Sequence, residues 1–184
     1  MNKYAGKTGV VAVSFIPDWK RFGYTTIDDD LKRLIEKRVW DASICTSAKV
    51  TFNGVPIKAR TLSSYASMYI EEKLAVLETS RWSVVIGPSR GDGFQHVSWV
   101  NGICTTKGGT HVDHVVSVVT QSIHEQLIKK NKETKLRPHH IKSCLFVWVK
   151  STLENPTFSS QTKSECTLKK QHFGSKFEVT NKFV

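Results

Sequence analysis

Apolar positions along the chain change period several times, and each change predicts an element. Val10 to Phe15 is a short apolar run closed by Pro17 and Asp18, the pattern of a buried strand. Leu31, Leu34, Ile35, Val39 and Ala42 then step by helical spacings, after a start at Thr25-Thr26 and three acids, Asp28 to Asp30, that suit the positive end of a helix. Val50 to Phe52 and Val55 to Ile57 flank Asn53-Gly54, a hairpin signal because both residues accept positive φ. Ser63 or Ser64 is placed to cap a helix running to about Leu77, with Tyr65, Met68, Tyr69 and Val76 apolar. Trp82 to Ile86 and Phe94 to Val100 read as strands around the turn-rich Arg90-Gly91-Asp92-Gly93. Val112, Val115, Val116, Val119, Ile123 and Leu127 mark a long helix entered from Thr105 to His111, with Thr110 as its cap and Asp113 completing a capping box. Leu145 to Val149 is too apolar for an edge and suits a central strand. Lys176 to Val179 reads as a short final strand. Strands alternating with two good helices give an α+β (α/β sandwich) fold, a mixed sheet with covering helices.

Composition narrows the partners. Over 184 residues the net charge is +11, which calls for a polyanionic partner or setting. No apolar run reaches 18 residues and no apolar leader opens the chain, so no membrane partner is expected. Cys45, Cys104, Cys144 and Cys166 include no C-x-x-C pair and read as reduced thiols of an intracellular protein.

Five groups of residues could carry chemistry. The aspartate triplet could hold Mg²⁺, but acids at a helix start are far commoner and account for it. His111 and His114 share a helix face without a third ligand, so no metal site is expected. Thr105 to His111, T-T-K-G-G-T-H, could hold an anion on free N–H groups but lacks P-loop spacing; a capped helix start with glycines for close approach accounts for it. Lys129, Lys130, Asn131 and Lys132, with Lys135, Arg137, His139 and His140 beyond, form either a solvated helix end or a contact for DNA phosphates. Asn155 to Lys163, N-P-T-F-S-S-Q-T-K, follows a proline that ends the apolar strand. Its hydroxyls, its amide and its terminal ammonium suit a phosphate, although a solvated Ser/Thr loop has the same composition.

This last stretch, with Thr167-Leu168 and Phe173 to Ser175 after it, resembles the transducer domain of type IIA DNA topoisomerases, in the form found in eukaryotes and large viruses. Gly108 to His111 matches a structural signature of that domain, and Pro17 to Asp41 resembles the end of the preceding GHKL ATPase domain. The resemblance runs from about Thr8 to Phe183. It implies residues 1–61 as the C-terminal part of the ATPase domain with a connecting hairpin, and 62–184 as the transducer domain with a left-handed β-α-β crossover. It implies an ATP-dependent isomerase in which Gln161, Thr162 and Lys163 bind ATP. It further implies Lys163 as the catalytic contact to the γ-phosphate, sensing nucleotide state and coupling it to DNA strand passage. It implies DNA contact at Lys129, Lys130, Asn131 and Lys132. Ile128 stands where that family often has a further lysine. ATP and Mg²⁺ would serve the full-length enzyme, with the Mg²⁺ ligands outside this chain. The implied partners are DNA, ATP, the upstream ATPase domain and the downstream DNA-cleavage core of the same polypeptide, within a homodimer. The implied location is the nucleus, or host cytoplasm for a viral protein. The contrasting possibility is a stand-alone basic nucleic-acid-binding module. Against it, Trp82, Trp99 and Trp148 fall in strand cores, away from any basic stacking platform.

Overall fold

The computed structural model describes residues 9–91, 93–132 and 135–179. The chain forms two compact units, Met1–Glu36 and Lys37–Val184.

In the first unit Asp18 accepts a hydrogen bond from the Arg21 amide at the start of a 3-10 turn, Trp19–Phe22. Val10 to Phe15 is not a strand: Val11 is 92% exposed, and among the described residues no strand pairs with this run. A strand needs a neighbour for its N–H and C=O groups, and apolar propensity alone does not supply one. Helix α1 spans Asp29–Cys45. Asp28 accepts the Leu31 N–H at 2.7 Å and Asp29 pairs with Lys32 at 2.9 Å, so these acids serve the helix start. Of the expected stripe, Leu34 and Ile35 are exposed, and the buried residues of α1 are Asp41, Ser43 and Ile44.

The second unit begins within α1 and continues into the Asn53-Gly54 hairpin, β1 (Thr51–Phe52) with β2 (Val55–Pro56). The expected helix from Ser63 to Leu77 is one turn, α2 (Leu62–Ala66), capped by Thr61 in a capping box with Ser64. Val76 and Leu77 instead lie in β3 (Ala75–Glu78), opposite Val85 and Val84 of β4 (Trp82–Pro88). A strand already present alongside outweighs local helix preference.

The main sheet runs β3-β4-β8-β5-β6, with β5 at Gln95–Val100, β6 at Ile103–Cys104 and β8 at Leu145–Ser151. All neighbours are antiparallel except β5 and β8, which are parallel. Between these two the chain passes through a short strand β7 (Gly108–Gly109), the long helix α3 (Thr110–Lys130) and α4 (Pro138–Ser143). Beyond β8, the two-residue strand β9 (Glu165–Cys166) pairs with β7.

β8 is central as its composition predicts, and it is apolar on both sides because both faces are covered. Leu145, Val147 and Val149 join the core built on Val112, Val115, Val116 and Val119 of α3. Trp148, with Val85 and Trp99, packs against Leu62, Tyr65 and Ala66 of α2 and Ile44 of α1. Asp41 is buried there and accepts from Lys37 at 2.8 Å and from the Tyr65 hydroxyl at 3.1 Å.

Thr110 does not cap α3. Gly109 holds the cap position without a side-chain bond, and the Thr110 hydroxyl donates to the Leu168 carbonyl instead. Lys176 to Val179 is not a strand, although Phe177 is buried against the core. Asp92 lies outside the described residues. All four cysteines are free thiols. Among the described residues no helix is long and apolar enough to cross a membrane.

Candidate anion-binding loop and its mounting

β8 feeds directly into the loop. Beyond its last residue, Leu153 is pinned from both sides by the side chain of Asn101, which donates to the Leu153 carbonyl at 3.0 Å and accepts the Leu153 N–H at 2.8 Å. Asn101-Gly102 is itself a hairpin turn joining β5 to β6, with φ of 49° and 81°. The same dipeptide makes the first hairpin, so Asn-Gly signals both turns in the sequence.

Asn155 adopts φ 44° at the loop entrance and Lys163 φ 55° at its exit. A lysine in the left-handed region costs about 1 kcal/mol, and the surroundings hold it there. The Lys163 N–H donates to Ser160 O at 3.0 Å, and the Ser160 and Thr162 hydroxyls bond at 2.8 Å. Ser159 N–H donates to Glu165 O, Thr167 N–H to Thr157 O, and Phe158 bridges to Cys166, so the loop is a closed hairpin with Gln161 exposed at its tip. Lys163 Nζ lies 5.8 Å from the centre of the Phe158 ring, a cation–π distance. Among the described residues it has no carboxylate at ion-pair distance. Gln161, Thr162 and Lys163 are thus brought together as a positioned, unpaired cation beside neutral hydrogen-bonding groups. Such a set can bind an oxyanion.

The base of this hairpin is mounted on the entry to α3. Lys107 N–H donates to Ser164 O at 2.9 Å, and Gly108 and Gly109 pair in parallel with Glu165 and Cys166. Gly109 has φ 125°, and a Cβ there would lie 2.1 Å from the Cys166 carbonyl oxygen. Only glycine allows the strands to approach this closely. The glycines of T-T-K-G-G-T-H therefore serve close packing, as the sequence suggests.

Beneath that strand, Thr105 and His111 are fully buried. Burial, with His96 as a lesser influence, pushes the His111 imidazole down to about 3, and burial likewise lowers His96. His114 does not join His111 in a cluster; its ring packs against Trp82, Phe173 and Phe177. Among the described residues no three His, Cys, Asp or Glu side chains come together to hold a metal ion.

Lys129, Lys130, Asn131 and Lys132 are exposed at the far end of α3, where the Asn131 N–H donates to Leu127 O at 2.8 Å. Lys135, Arg137, His139 and His140 are exposed further along the chain, the two imidazoles tilted at 46° with their centres 3.8 Å apart. The loop and the basic tip therefore belong to opposite ends of one 21-residue helix, about 30 Å long at 1.5 Å per residue.

The family model described as DNA gyrase B matches residues 55–183. DNA topoisomerase 2 of Acanthamoeba polyphaga mimivirus is 39% identical over 186 residues, covering 97% of this chain and 15% of that protein. DNA topoisomerase 2 of Arabidopsis thaliana is 39% identical over 185 residues, covering 94% of this chain and 12% of that protein. The chain thus spans less than a sixth of the length of these relatives. Among solved structures, the ATPase region of Saccharomyces cerevisiae topoisomerase II superposes with a TM-score of 0.81 at 31% identity, covering 91% of this chain and 44% of that one. The ATPase and transducer domains of topoisomerase II from Balamuthia mandrillaris superpose with a TM-score of 0.78 at 29% identity, covering 84% and 40%. By sequence and by fold, the chain belongs to the DNA gyrase B family, in its topoisomerase II branch.

Proposed function

We propose that this chain is the transducer part of an ATP-dependent type II DNA topoisomerase, and that it reads nucleotide state through Gln161, Thr162 and Lys163. In this reading residues 1–61 complete the upstream GHKL ATPase domain and 62–184 form the transducer. The loop reaches ATP held by that neighbouring domain, with Mg²⁺ ligands supplied outside this chain. The observation that carries the reading is Lys163: fixed by its backbone bond and the Phe158 ring, yet without a carboxylate partner among the described residues. An ammonium held in place without an anion is suited to receive one.

Lys163 contributes the charge that meets the γ-phosphate. Gln161 at the tip supplies directional hydrogen bonding, and Thr162, tied to Ser160, keeps the turn in shape. The contact exists only while the terminal phosphate is present, so its free energy favours one arrangement of the transducer over another. Because the hairpin is mounted on Gly108 and Gly109, a displacement of the loop bears on the start of α3, a packed helix that ends at Lys129 to Lys132. Those lysines and Asn131 meet DNA phosphates, which requires charge and no base-specific geometry. The DNA-cleavage core follows in the same polypeptide, the enzyme works as a homodimer, and it acts in the nucleus or in the cytoplasm of an infected host.

The basic charge also suits a stand-alone nucleic-acid-binding module. Trp82, Trp99 and Trp148 are almost wholly buried and offer no stacking platform, which favours the topoisomerase reading. Lys163→Ala in the full-length protein tests it. Loss of a charge-assisted contact of about 1.5–3 kcal/mol should lower ATP turnover and strand passage about 10- to 100-fold while DNA cleavage persists. Unaltered ATP turnover would refute the reading.

A further inference from the structure

We propose that His111 is a positioning residue for the Gln161 to Lys163 loop, clasping through Thr105 the double-glycine strand on which the loop is mounted. The link from this clasp to ATP turnover rests on the function proposed above; the clasp itself does not.

The strand that carries the loop is weakly determined by its own backbone. Gly108 and Gly109 are consecutive and have φ of 75° and 125°, and glycines reach many other conformations equally well. Something must select this one. Thr105, three residues earlier, is bonded on every side: its N–H donates to Ser98 O at 2.8 Å and its carbonyl accepts the Gly108 N–H at 2.9 Å. Its hydroxyl lies 2.6 Å from the Ser98 hydroxyl and 3.3 Å from His111 Nε2. His111, in the first turn of α3, thus folds back over the turn that begins at Thr105 and closes it around the two glycines.

The direction of these bonds follows from the proton count. The Ser98 hydroxyl donates to the Thr105 carbonyl at 3.0 Å, which leaves the Thr105 hydroxyl to donate to Ser98 Oγ. Thr105 Oγ1 can then only accept from His111, so Nε2 carries the hydrogen. Nδ1, buried without a hydrogen-bond partner, is the unprotonated nitrogen. The other tautomer would bury an unpaired N–H and lose the bond to Thr105. All three side chains are shut off from water, so no solvent replaces a bond that is removed. The low affinity of this imidazole for a second proton keeps it a neutral, single-direction donor. A hydrophobic residue of the same volume would fill the core equally well without selecting the glycine conformation.

The test uses the full-length protein with His111→Leu, His111→Gln and Thr105→Val. Leucine keeps the volume and deletes the donor, glutamine can return an N–H to the Nε2 position, and valine deletes the acceptor. Amide hydrogen exchange is followed over residues 107–110 and 164–168 and, as reference, over β4 and β8; kcat and KM for ATP are measured alongside. Loss of one buried hydrogen bond in the leucine variant, and of two in the valine variant because the Thr105 hydroxyl also bonds Ser98, should accelerate exchange in the two mounting segments about 10- to 100-fold or more, with β4 and β8 little changed. Glutamine should restore most of the protection and of the ATP kinetics. Uniform acceleration over the whole domain, unchanged exchange at 107–110 and 164–168, or glutamine behaving as leucine would each overturn the proposal. If His111→Leu fails to fold, Thr105→Val decides by the same readout. Local acceleration with unaltered ATP kinetics would uphold the clasp and count against the nucleotide-sensing role of the loop.

Discussion

Gly109→Ala probes how the loop is mounted, and its effect can be worked out term by term. The new Cβ would lie 2.1 Å from the Cys166 carbonyl oxygen, 2.6 Å from its nitrogen and 2.8 Å from its carbonyl carbon. Favourable non-bonded contact begins at about 3.5 Å, and none of these atoms belongs to a flexible side chain. The strands must therefore separate by about 1 Å, enough to break the Gly108-Gly109 pairing with Glu165-Cys166 and strain the bonds of Lys107 and Thr110 beside it. At about 1 kcal/mol net per hydrogen bond, disrupting roughly three costs about 3 kcal/mol. Holding alanine at φ 125° adds about 1–2 kcal/mol, and the lower entropy of the unfolded alanine chain offsets roughly 0.5–1 kcal/mol. The net expectation is a loss of about 3–4.5 kcal/mol. Gly54→Ala is the control, since Gly54 also has positive φ, 79°, but nothing within 4 Å of the added Cβ. It should lose only about 1 kcal/mol. Urea unfolding followed by the fluorescence of the buried tryptophans gives both values from the shift in midpoint at constant m. Equal losses for the two variants would refute the close-approach account of Gly109.

Two other consequences are open to measurement. Replacing Lys129, Lys130 and Lys132 together with alanine should weaken duplex DNA binding and reduce the slope of log K against log salt by about 2–3; an unchanged slope would remove the tip from the DNA contact. His111 gives stability a pH dependence whose sign is fixed. Its folded pKa of about 3 lies below the unfolded value near 6.5, so in between the unfolded chain binds a proton that the folded one refuses. Stability is complete above about pH 6.5 and falls as pH falls, by up to about 1.4 kcal/mol per pH unit. The urea midpoint should drop from pH 7 to pH 5, and His111→Gln should drop less; parallel profiles would show that the buried imidazole is not responsible.

The parts of the fold legible in the sequence are those whose cause is local. Asn53-Gly54 specifies its own turn, and Leu145 to Val149 announces a doubly covered strand because both faces of the residue alternation are apolar. The stripe on α3 is legible because one face meets one core. Where a partner far along the chain decides, local pattern misleads. Val76 and Leu77 carry a helix-compatible spacing, yet β4 stands beside them and takes them as a strand. Val10 to Phe15 has strand propensity, but among the described residues no strand pairs with it. Thr110 has the side chain of a cap and sits one residue too late, because the cap position is pressed against Cys166 and admits no side chain.

The candidate site divides along the same line. The chemistry of Gln161, Thr162 and Lys163 is legible from residue type alone, since an amide, a hydroxyl and an ammonium in one exposed turn can meet a phosphate wherever the turn lies. Its mounting is not legible, because Gly109 meets Cys166 and Thr110 meets Leu168 across more than fifty intervening residues, and no spacing rule connects segments so far apart. Yet the proposed sensing role, as distinct from anion binding alone, rests on the mounting. A solvated loop of the same composition could hold an anion and pass nothing on. Here the residue after Lys163 is hydrogen-bonded to Lys107, the next two pair with the glycines, and the residue after those glycines opens a helix about 30 Å long that ends in exposed lysines. A force applied at the ammonium has a continuous path of paired backbone and packed helix to follow. Cutting that path at Gly109 or His111, with Lys163 itself untouched, should therefore uncouple anion contact from the far end of α3 more completely than it weakens the contact.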